Sequence, residues 1–99
     1  MADNTIVEPK TKQKLEHPKQ YKVLLHNDDY TPMEFVVLVL AVVFQMDETQ
    51  AIQLMLHVHN YGVGVCGIYS YEVAESKIHK VHELAEENNY PLLCSMEEE

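Results

Sequence analysis

Between Phe35 and Phe44 the chain reads FVVLVLAVVF, ten positions without one polar side chain, and the residues on either side follow quite different patterns. Upstream, YKVLLH (Tyr21 to His26) alternates loosely and is rich in strand formers, which predicts a first strand. The polar residues Asn27 to Tyr30 come next. The valine content of the apolar run favours a strand on composition alone. Its start argues otherwise: Thr31, Pro32 and Glu34 form a capping box, with Thr31 as N-cap, Pro32 at the first helical position and Glu34 reaching back, and Tyr30 and Phe35 flank it as a hydrophobic staple. The run is therefore expected to be a helix, apolar on nearly all sides and so deeply buried.

The pattern then repeats its logic. Asp47 and Gln50 make a second box, after which Ala51, Leu54, Met55 and Val58 recur at helical spacing, with Ile52, Met55, Leu56 and His59 as an adjacent stripe. Gly62 suits a left-handed stop. Val63 to Tyr71 reads as a second strand, weakened by Gly64 and Gly67. Ser70 caps a third helix with Glu72 and Glu75 in its first turn, and Ala74, Ile78, Val81 and Ala85 form its inner face. Asn88, Asn89 and Pro91 end it, and Leu92 to Met96 make a short last strand. Residues 1–19, polar and marked by Pro9 and Pro18, lack the apolar surface to offset their ordering entropy and are expected to be a flexible arm ahead of a core domain over 20–99. The order β-α-α-β-α-β predicts an α+β two-layer sandwich, three helices on one face of a three-stranded antiparallel sheet.

Composition narrows the function. A chain of 99 residues suggests one domain, and its formal charge of −9 disfavours nucleic acid, whose partners carry basic patches. The N-terminus has no apolar core of a secretory signal, and the longest apolar run is half the roughly 20 residues that cross a bilayer. The expected address is the cytoplasm, with no membrane partner. Cys66 and Cys94, far apart and outside any CxxC pattern, read as two buried thiols in a reducing compartment, although spacing alone leaves a disulfide open.

Little in the chain points to catalysis. Asp28 and Asp29 are adjacent, so their side chains need not converge as an acid–base pair, and Asx residues commonly make turns. No nucleophile motif, phosphate loop or cofactor fingerprint is present, so neither an enzyme nor a cofactor is expected. His57 and His59 point to nearly opposite sides of a helix. His79 and His82 share a face, but solvated or partly buried histidine explains them without a metal. A binding pocket is the more promising reading. If the first two helices pack antiparallel, Met33 and Val36 face Met55 and Val58, with Asn27, Asp29 and His59 at the rim. A Met/Val stripe of this kind is more often plain core, and periodicity does not separate the two.

The strings YKVLLHNDDYTPMEFVV, QAIQLMLHVHNYG, CGIYSYEVAESK and YPLLC resemble the bacterial ClpS adaptor family, from about Tyr21 to the C-terminus, roughly four-fifths of the chain. The resemblance implies an adaptor of the N-end rule, which binds proteins beginning with Leu, Phe, Tyr or Trp and passes them to a Clp unfoldase and its ClpP peptidase. Carried over by motif, Asn27, Asp29 and His59 would hold the substrate's α-amino group, with Asp28 as a lesser contact. Thr31, Met33, Val36, Met55, Val58 and Leu92 would line the side-chain pocket, and Met33 would be the gate against Val and Ile. Glu72 and Lys77 would meet the N-terminal domain of the unfoldase, ClpA-like or ClpC-like, although a helix's first turn and surface account for those two without any partner. His26 departs from the family pattern, which usually has an aliphatic residue before the Asn. The N-terminal arm, loose in sequence across the family, also differs.

Overall fold

A computed structural model of the chain describes residues 17–99, so the expected arm falls almost wholly outside the described residues. The alternation that predicted a first strand produces β1, Gln20–His26, with Val23 and Leu25 fully buried on one side. The remaining elements follow as α1 (Met33–Phe44), α2 (Glu48–Tyr61), β2 (Val63–Ser70), α3 (Tyr71–Glu87) and β3 (Leu93–Glu98). The sheet has the order β2-β1-β3 with both neighbours antiparallel to β1. The expected α+β architecture, three helices over a three-stranded antiparallel sheet, is the observed one.

Register places the ends of the elements. His26 pairs with Val63 on one side and with Leu93 on the other, so the loop after β1 opens beside the end of α2 and the start of β3. Between the pairs Val23–Gly67 and Leu24–Val65 the register shifts, and Cys66 is the extra residue of a β-bulge. The bulge reverses which positions of β2 face inward. Gly64 and Cys66 are buried before it, and Tyr69 turns in after it to lie back over Gly67. Gly64 is required for a close approach: a Cβ there would sit 2.8 Å from Val58 Cγ2 and 2.9 Å from Leu54 Cδ1, side chains of α2. The core joins Val23 and Leu25 of the sheet to Val39 and Leu40 of α1, Ala51 of α2 and Ala74 and Val81 of α3.

Several local expectations change in the folded chain. Thr31 is not the N-cap of α1. Pro32, extended at ψ 146°, flanks the helix, its carbonyl accepts from the Phe35 and Val36 amides, and no side chain caps this end. The staple is absent too: Tyr30 is 78% exposed, and Phe35 packs on Tyr90 with ring centroids 4.8 Å apart. Nor is α1 buried all round, since Leu38 and Val42 are half exposed on its outer side. Ile52 and Leu56 of the second stripe also face solvent. The later caps hold. Asp47 accepts from the Gln50 amide at 2.8 Å, Ser70 from the Val73 amide at 3.4 Å, and Gly62 stops α2 with φ 91°. Tyr71 belongs to α3 and Leu92 lies just ahead of β3, one-residue differences at frayed boundaries.

Candidate functional site

The apolar faces of α1 and α2 meet because only Gln45, Met46 and Asp47 separate them, which turns the chain back on itself. At the far end from this turn, the start of α1 lies beside the end of α2. There a cavity of about 360 Å³ opens, at the small end of ligand-site volumes and suited to one side chain rather than a large molecule. Its lining contains Asn27, Asp28, Asp29, Thr31, Met33, Val36, Met55, Val58, His59 and Leu92, so the residues expected at the amine rim and in the pocket border one hollow. His26, Tyr30 and Pro32 complete it. The apolar wall is deep: Val36, Met55, Val58 and Leu92 are buried, whereas Met33 stands at the mouth, 44% exposed.

The polar rim is placed by two backbone devices. The Asn27 amide donates to the Gly62 carbonyl at 2.8 Å, tying the loop after β1 to the left-handed stop of α2 and so bringing Asn27 near His59. Within the loop, Asp28 folds its carboxylate inward. Oδ1 accepts from the Tyr30 amide at 2.8 Å and the Thr31 amide at 2.7 Å, and Oδ2 accepts from the Thr31 hydroxyl at 2.8 Å. Partial burial pushes the Asp28 pKa upward, but these three hydrogen bonds outweigh it and hold the carboxyl below its ordinary value. Asp28 therefore borders the cavity while its acceptors are engaged by its own loop. Asn27, Asp29 and His59, by contrast, are exposed at the mouth.

The other histidines have separate surroundings. His57 stacks on Tyr61, with centroids 4.7 Å apart. His82 accepts the Cys94 amide on Nε2 at 3.0 Å, and His26 Nε2 lies 2.7 Å from the Ser95 hydroxyl. Neither contact has a sequence signal, because each joins residues far apart in the chain. Among the described residues no group of three His, Cys, Asp or Glu is arranged to hold a metal ion. Cys66 and Cys94 are free and buried, on the two strands that flank β1.

A second depression, of about 410 Å³, lies between the end of α1 and the first half of α3, lined by residues that include Val42, Glu72, Val73, Lys77 and Lys80. Lys77 is not simply a surface side chain. Its Nζ donates to the Val43 carbonyl at 2.8 Å and to Gln45 Oε1 at 3.3 Å, and it lies over the rings of Phe44 and Tyr69. It thus neutralises the carbonyl end of α1. Glu72 is exposed in the first turn of α3.

An open-faced α+β domain whose apolar hollow opens through an acceptor-lined mouth has the build of a small binding protein. Residues 16–95 match the family described as ATP-dependent Clp protease adaptor protein ClpS. The chain is 58% identical over 96 residues to the ATP-dependent Clp protease adapter protein ClpS of Myxococcus xanthus, covering 97% of this chain and 90% of that protein. It is 49% identical over 92 residues to the protein so described in Shewanella piezotolerans, covering 93% and 90%. The solved structure of Agrobacterium tumefaciens ClpS2 bound to L-phenylalaninamide superposes with a TM-score of 0.82 at 41% identity, over 84% of this chain and all of that one. The chain belongs to the ClpS family of Clp protease adaptors, which serve proteolysis as adaptors and not as enzymes.

Proposed function

We propose that this adaptor captures proteins by their first residue, when that residue is Leu, Phe, Tyr or Trp, and delivers them to a cytoplasmic Clp AAA+ unfoldase for degradation by ClpP. The observation that carries the reading is the cavity itself: a buried Val36–Met55–Val58–Leu92 wall beneath a mouth bearing Asn27, Asp29 and His59. The amino-acid amide held by the Agrobacterium relative supports it, since phenylalaninamide combines a free amine with an aromatic side chain.

The chemistry follows from the ligand. A protein's α-amino group has a pKa of about 7.7–8.0, so near neutral pH it is largely an ammonium with three donors and no acceptor. Asn27 offers an amide oxygen, Asp29 a carboxylate and neutral His59 a ring nitrogen. Three acceptors for three donors favour a chain terminus over an internal peptide bond. Burying a Phe or Leu side chain contributes about 1.5–3 kcal/mol, less than the cost of association, about 4 kcal/mol or more. Hydrogen bonds to a charged group contribute about 1.5–3 kcal/mol each. Pocket and rim are therefore both needed. In this assignment Asp28 shapes the rim rather than touching the amine, and Thr31 and Met33 border the side-chain entrance, with Met33 as the gate.

Glu72 and Lys77 border the second depression, with the exposed Val42 and Val73 beside them, and this face is assigned to the N-terminal domain of a ClpA-like or ClpC-like unfoldase. The test of the central reading is fluorescence anisotropy with peptides that differ only in their first residue, together with an acetylated Phe-started peptide. Leu, Phe, Tyr and Trp starts should bind, and acetylation should abolish binding. Retained affinity after acetylation refutes the ammonium site.

A further inference from the structure

The wall that Leu92 contributes comes from the least regular part of the cavity. Leu92 precedes β3, and β3 is an edge strand, paired with β1 alone. The Glu99 amide donates to the Gln20 carbonyl at 2.9 Å, which sets the alternation of the ladder. Counting back, Cys94 opposite Leu25 falls in a non-hydrogen-bonded pair, and its N–H turns toward the free edge. An edge N–H beside a buried side chain needs an acceptor. His82, half-buried on α3, supplies it through Nε2 at 3.0 Å. On the other side of Leu92, the Tyr90 amide donates to the Ala85 carbonyl at 2.9 Å and its ring packs on Phe35. Leu92 thus hangs between Tyr90 on one side and, on the other, the ladder pair Leu93–His26 together with the bond from Cys94 to a single imidazole.

We propose that His82 is a positioning residue for the cavity: by accepting the Cys94 amide it fixes the start of β3 and with it the depth to which Leu92 enters the pocket. This rests on the reading of the cavity as a receptor for a first residue. Acceptance through Nε2 puts the proton of the neutral ring on Nδ1. Removing the acceptor leaves the Cys94 N–H unpaired, so that only the Leu93–His26 pair holds the start of β3 beside the pocket, and it loosens one wall while leaving the amine rim untouched. The effect therefore falls on discrimination between side chains.

The test compares His82→Leu, which lacks an acceptor, with His82→Gln, whose amide oxygen reaches about as far as Nε2. His82→Ala replaces the leucine variant should that one not fold. Cys94 amide exchange in the ligand-free proteins should quicken about tenfold in the leucine variant and stay near the parent in the glutamine variant. By anisotropy, His82→Leu should bind a Phe-started peptide about fivefold more weakly, the size of one lost hydrogen bond, and shift the Phe-to-Leu affinity ratio about threefold, with both restored in His82→Gln. Well below the melting temperature, general destabilisation does not move that ratio. A parent that binds, with an unchanged ratio and unchanged Cys94 exchange in His82→Leu, overturns the assignment. A parent that fails to bind the Phe-started peptide refutes instead the first-residue reading beneath it.

Discussion

Asp28 and Asp29 stand side by side in the sequence, yet one carboxylate is bonded within its loop and the other is exposed, and substituting each by its amide tests the roles proposed for them. Asp28 Oδ1 accepts two backbone amides and Oδ2 a hydroxyl, all within 2.8 Å. Asn at position 28 keeps an amide oxygen for the two N–H groups, and the Thr31 hydroxyl can turn to accept from its NH₂. Asp28→Asn should therefore weaken binding of a Phe-started peptide by less than about threefold. Asp28→Ala removes all three bonds. Losing a side-chain acceptor of backbone amides costs about 0.5–2 kcal/mol, so a drop of about tenfold is expected as the loop carrying Asn27 and Asp29 slackens. Asp29→Asn instead keeps an acceptor oxygen but removes the negative charge from the proposed ammonium site, so a loss of about tenfold is expected. Anisotropy at pH 7 on the three variants gives the ranking. Equal losses in Asp28→Asn and Asp29→Asn would refute the division of labour and return Asp28 to the amine. Stability supplies an independent check. The folded pKa of Asp28 lies below its unfolded value of 3.8, so the charged carboxylate stabilises the fold above that value, and the contribution is lost as pH falls through the folded pKa. The difference in urea stability between the parent and Asp28→Ala should thus be constant from pH 7 to about 5 and shrink below pH 4.

Met33→Ala, by removing bulk at the mouth, should admit Ile- and Val-started peptides, and an unchanged specificity profile would show that Met33 is no gate. Gly64→Ala drives a methyl into Val58 and Leu54, so the chain should lose about 1–3 kcal/mol in urea unfolding and, because Val58 lines the cavity, bind Phe-started peptide less tightly. Burial pushes the Cys66 thiol up to about 12, with Cys94 nearby adding to it, and burial alone pushes Cys94 up to about 12. At pH 8 Ellman's reagent should therefore react with neither cysteine in the native protein and with both after unfolding, and a fast native phase would contradict the packing.

Features that depend on neighbours in the chain were legible in the sequence. The caps at Asp47 and Ser70 and the stop at Gly62 are contests between residues three or four apart, and local geometry decides them. The order of elements, and with it the fold class, followed from the same short-range signals. The start of α1 shows the limit. Thr31 has the right spacing from Glu34 to cap the helix, but Asp28 takes the Thr31 amide that Glu34 would otherwise accept and draws the Thr31 hydroxyl toward the loop, away from the helix end. The apolar run of α1 likewise says that much of it must be covered, not that Leu38 and Val42 remain outside, because the sheet shields only one side of a helix.

Short-range patterns were enough for the elements and for the acceptors available at Asn27, Asp29 and His59, but they left a Met/Val stripe of a kind that is more often plain core. That the stripe stops short of closing is a result of the assembled fold. Pairing of His26 with both Val63 and Leu93 brings a loop, a helix end and an edge strand to one mouth, and the Asn27–Gly62 hydrogen bond holds them there. Such register is a sum of contacts between distant residues, and no single stretch of chain contains it.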